Sequence, residues 1–132
     1  MNRSSLFRFL ACALAFAGIP QASSAPLCQP SLAFKQVQFS PMQPPTMQRK
    51  WTALVAVDAT RCAANSRGRF EIVFTRLQEY GPETESGEEF NWIAPEVTVS
   101  VTFAPTEAVQ HYRIGTVTPC PCAGDQSHAG AK

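Results

Sequence analysis

The chain has 132 residues, with 11 basic and 10 acidic side chains, five cysteines and a hydrophobic fraction of 45%. That length holds one domain built on one core. The hydrophobic content excludes a disordered tail, a formal charge of +1 gives no basic footprint for nucleic acid, and 7 glycines and 11 prolines without a period exclude collagen-like and low-complexity chains.

Residues 1–25 read as a secretory signal. Arg3 and Arg8 supply the positive start, the apolar stretch runs from Leu6 to Ile19 with Arg8 inside it, and Pro20 to Ala25 is small and polar. The part after Arg8, Phe9–Ile19, is about half of the ~20 residues a bilayer span needs. Cleavage is expected after Ala22, Ser24 or Ala25. A mature chain starting at Pro26 keeps 107 of the 132 residues. Without Arg3 and Arg8, nine basic residues face ten acidic ones, a formal charge of −1, and without Cys12 four cysteines remain: Cys28, Cys62, Cys120 and Cys122. An even count in a small exported domain reads as two disulfides. No other stretch approaches transmembrane length, so the mature chain is expected to be soluble, and periplasmic or secreted.

Hydrophobic period two dominates the chain beyond Ala25. Leu32 to Phe39 is a weak strand: Leu32 and Phe34 fall out of step with Val37 and Phe39, as a bulge produces. Ser40 to Thr46 carries Pro41, Pro44 and Pro45, which suits a connection. Trp51, Ala53, Val55 and Val57 alternate with Thr52, Leu54, Ala56 and Asp58. Ala63 to Gly68 is a turn around Asn65-Ser66. Phe70, Ile72 and Phe74 alternate with Arg69, Glu71, Val73 and Thr75. Gly81 to Gly87 reads as a polar loop and Phe90 to Ile93 as a short strand. Val97 to Phe103, aliphatic on one face and hydroxyl on the other, reads as an interior strand. Val109 to Val117 is a last strand, kinked at Gly115. No run of ten residues presents a helical face.

Short strands at roughly 8–12-residue spacing indicate an all-β sandwich or small barrel. The layout over about residues 32–118 resembles immunoglobulin-like or fibronectin-type-III-like domains, with Trp51 in the place of a core tryptophan and Tyr112 where a tyrosine corner is found. The resemblance implies an immunoglobulin-like β-sandwich of about six to seven antiparallel strands. The domain is expected over residues 26–118, with a Cys-Pro-Cys tail over residues 119–132 that is largely flexible after Cys122.

Strand parity brings Cys28, Cys62, Cys120 and Cys122 to one pole. A Cys120–Cys122 bond closes a very small strained ring, which favours Cys28 and Cys62 each bonding one of the tail pair, in either assignment. A Cys₄ zinc site competes, although its spacing is commonly Cys-x₂₋₄-Cys. So does a thiol-exchange role for Cys120-Pro121-Cys122, with no helix start to lower a thiol pKa.

No catalytic residue is expected. His111 lies in the last strand and His128 in the tail, and there is no nucleophile elbow, His-Glu-x-x-His or phosphate loop. No metal or cofactor site is expected either: Met42, Met47 and His111 lack the grouping of a copper site, and the glutamates lack the spacing of a calcium loop. Glu83, Glu85, Glu88 and Glu89, concentrated in the expected Tyr80–Glu89 loop, are the candidate partner contact, steering a basic partner. The first strand, read as an edge, is the second choice. The expected role is therefore a non-catalytic interaction or accessory module whose partner is another exported or envelope protein and not nucleic acid. The alternative is a thiol redox or metal-handling protein using the Cys-Pro-Cys tail.

Overall fold

A computed structural model describes residues 26–124, and the expected signal segment lies outside them. The described chain is all-β, with eight strands: β1 (Leu27–Cys28), β2 (Ser31–Phe39), β3 (Arg49–Asp58), β4 (Arg67–Gln78), β5 (Thr84–Ile93), β6 (Glu96–Phe103), β7 (Glu107–Val117) and β8 (Cys120–Pro121). β2-β3-β6 form one antiparallel sheet, β5-β4-β7 a second, and β1 pairs with β8. Beyond the six strands whose ranges the sequence indicates, the chain forms β1 and β8, each two residues long and too short to leave a periodic signal.

The alternation in the sequence is the alternation of burial. From β3, Trp51, Ala53, Val55 and Val57 point into the core; β4 adds Phe70, Ile72 and Phe74, β6 adds Val99 and Phe103, and β5 adds Trp92. The sheets meet through aromatic rings: Trp51 stands edge-on to Phe74 at 4.8 Å between ring centres, and Phe74 to Phe103 at 5.2 Å. Each fully buried large side chain contributes about 1.5–3 kcal/mol of transfer free energy. Tyr112 occupies no corner. It sits in mid-β7 opposite Phe74, and its ring closes the seam between the sheets against Phe34 and Trp51, 5.2 and 5.3 Å away.

Two expectations need correction. The polar loop ends sooner than Gly87, because β5 begins at Thr84 and pairs with β4 from Arg76 to Arg67. Its first half carries no apolar rhythm, since the inward positions there are Ser86 and Glu88. Second, β6 is an edge strand and β3 the central one. A complete apolar face reports burial of that face, not a neighbour on both sides. The Ala123 amide donates to Arg61 O at 2.8 Å. Residues 125–132 lie outside the described ones. The bulge in β2 falls between Phe34 and Gln36, and that strand is an edge. In β7 the register slips twice, at Gln110 and around Gly115-Thr116, where the sequence suggests a kink.

Candidate functional site

The start of β2, the end of β3 and the end of β7 share one pole, because Ser31 pairs with Asp58 and Val117 with Phe70 near the start of β4. The four cysteines gather there. Cys28 bonds Cys122, with Cα atoms 4.9 Å apart, and Cys62 bonds Cys120, at 5.6 Å. Residues 120–123 lie between two short backbone segments and bond to both. Cys122 N donates to Pro26 O at 3.3 Å on one side, while on the other Ala63 N donates to Pro121 O at 2.8 Å. Proline suits position 121, where only a carbonyl is used.

The bonds run diagonally. In the β1–β8 ladder Cys28 is opposite Cys120, and an isolated bridge sets Cys62 opposite Cys122, yet each sulfur joins the cysteine two residues away from the one it faces. Cys62 and Cys120 are 5% and 0% exposed, whereas Cys28 and Cys122 are half-buried. With all four sulfurs in disulfides, no thiolate set stands free for the zinc alternative while these bonds are intact. Among the described residues no group of three or more His, Cys, Asp or Glu is placed to hold a metal ion.

Beside this pole, a shallow hollow of about 470 Å³ opens over β4 and β5, lined by Arg67, Gly68, Arg69, Asn91, Trp92 and Ile93. Sequence reading missed it because it depends on register: Arg67 faces Ile93 and Arg69 faces Asn91 only once the hairpin is aligned. The Phe90–Trp92 alternation was the one available signal for Trp92.

The acidic set is dispersed. Glu83 lies in the turn before β5, while Glu85, Glu88 and Glu89 lie on β5 itself. Each of these three meets an arginine: Glu89 with Arg69 at 2.9 Å, Glu88 with Arg76 at 3.2 Å, and Glu85 with Arg113 at 3.9 Å. The Glu85–Arg113 pair reaches across β4, where Val73 and Thr75 are buried on the outer face.

Comparison of the chain with protein-family models, curated proteins and solved structures finds no match.

Proposed function

We propose that this chain is an exported, non-catalytic β-sandwich of immunoglobulin-like topology that works as an interaction module, taking an extended segment of an exported or envelope protein onto the outer edge of β7. The observation that carries the reading is the open flank of the second sheet. Its order, β5-β4-β7, stops at β7, which pairs as a strand only with β4 among the described residues. Immunoglobulin-like sandwiches place strands A, B and E in one sheet and C, F and G in the other. Here β2, β3 and β6 follow the first set and β4 and β7 the start of the second. The position after β7 has no occupant among the described residues.

An open edge offers unpaired N–H and C=O groups to another chain. Gln110, His111, Tyr112 and Arg113 are exposed in succession there. Between the two bulges, His111 to Ile114 keep a regular register against Thr75 to Ile72, so the backbone at that edge is regular enough to pair. Export is supported by the two disulfides, which persist in oxidising compartments.

A photo-crosslinking side chain at position 111, in the chain's native compartment, tests this. Capture of a discrete partner from position 111, and none from Thr98 on the outer face of β6, is the expected result. Equal capture from both positions, or none from 111, sinks the proposal.

A further inference from the structure

We propose that the cysteine pole is a thiol–disulfide exchange site for protein dithiols, in which two disulfide pairings fit one backbone. Cys120 stands opposite Cys28 and Cys122 opposite Cys62, yet each bond runs to the diagonal partner. Opposed residues of an antiparallel pair have Cα atoms roughly 4.5–5.5 Å apart. A disulfide accepts roughly 4.4–6.8 Å. The existing bonds span 4.9 and 5.6 Å. Both connectivities are therefore within reach without moving a strand. The Cys120 Sγ also lies 3.3 Å from the Cys28 carbonyl oxygen.

Exposure sets the order of events. Cys28–Cys122 is half-buried and Cys62–Cys120 is enclosed. A partner's thiolate attacks the Cys122 Sγ, forming a mixed disulfide and releasing the Cys28 thiolate. The partner's second thiol then displaces Cys122. The partner leaves as a disulfide, and two electrons and two protons pass to Cys28 and Cys122. The Cys28 thiolate next attacks Cys120, which it faces. The Cys28–Cys120 bond forms, the Cys62–Cys120 bond breaks, and the Cys62 sulfur takes up the proton that Cys28 gave up. This step needs no further reductant. It leaves free thiols on Cys62 and Cys122, which face each other in turn. A partner's disulfide can then oxidise that pair, giving the second connectivity. Exchange at this pole does not depend on strand addition at β7.

Limited treatment of the oxidised protein with dithiothreitol, an acid quench, alkylation and fragment-ion mapping tests the exchange. Among singly reduced molecules, those alkylated at Cys62 and Cys122 should be at least as abundant as those alkylated at Cys28 and Cys122. Finding only Cys28 and Cys122 alkylated, or Cys62 and Cys120, overturns the proposal. In the double variant Cys28→Ala, Cys122→Ala, the remaining Cys62–Cys120 bond should open about tenfold more slowly than the same bond opens in the unaltered protein, because no neighbouring thiolate can reach it. Equal rates also overturn the proposal.

Discussion

The Arg76 guanidinium faces the Phe103 ring, 4.6 Å from its centre, at the pole opposite the cysteines. It is held from two sides, by Glu107 and Glu88 at 3.2 Å each, and its side chain is only 15% exposed. An inward-pointing cation at the open end of a sandwich covers the last core ring with its stem and places its charge between two carboxylates. Arg76→Ala removes all of this and leaves the two carboxylates unpaired. We expect a loss of about 2–4 kcal/mol in chemical denaturation, and a smaller loss for Arg76→Met, which keeps the stem. Glu88→Gln should cost about 1 kcal/mol, while Glu83→Gln, in the exposed turn, should stay within about 0.5 kcal/mol of zero.

Gly68 is constrained from the inside. A Cβ there would stand 2.5 Å from the Trp92 Nε1 and would also collide with the Thr118 hydroxyl. That hydroxyl bonds the Arg69 backbone, accepting from its N–H and donating to its carbonyl. The Trp92 indole is buried and cannot swing aside. Gly68→Ala should therefore destabilise by about 1–3 kcal/mol. The change should appear as a shift in Trp92 fluorescence as well as a lower denaturation midpoint.

The two bridges close sequence separations of 94 and 58 residues. Loop entropy alone assigns them about 4–5 kcal/mol each, slightly more for the longer loop. Replacing Cys62 and Cys120 by alanine should cost more than replacing Cys28 and Cys122, because the first pair also leaves a cavity in the enclosed core. Calorimetry of the two double variants gives the comparison.

Asp58 is held below the usual aspartate value of 3.8 by the Thr60 hydroxyl first and the Thr60 backbone N–H second, donating at 2.7 and 3.1 Å. Because the folded-state value is depressed, ionised Asp58 adds stability above the unfolded value, and this contribution fades as pH falls through the folded one. Thr60→Val removes the hydroxyl and keeps the backbone bond. NMR titration should then find the Asp58 midpoint moved up toward 3.8. An unchanged midpoint would reject the hydroxyl as the main cause.

Legibility followed burial. Where one face of a strand meets the core, as in β3 and β6, the chain alternates and the strand can be read directly. Thr84 to Glu89 cannot be read this way: Glu88 points inward because Arg76 waits for it, and that pairing is visible only in three dimensions. The edge position of β6 was hidden for a related reason, since hydrogen-bonded neighbours leave no mark on side-chain rhythm. The gathering of the cysteines at one pole followed from counting strand directions. The diagonal sense of their bonds did not, because it depends on two short ladders set by Pro121 and its flanking backbone bonds.

The Cys28–Cys122 bond also decides how the domain carries force. A pull applied at Pro26 and at Gly124 travels from residue 26 to 28, crosses the disulfide and leaves through residues 122 to 124. The sandwich hangs from this path as a closed loop and bears almost none of the tension. Reducing that single bond passes the load to the Cys62–Cys120 bond and to the strands ahead of Cys62, so a chemical event at one pole changes the domain from a rigid link into an extensible one.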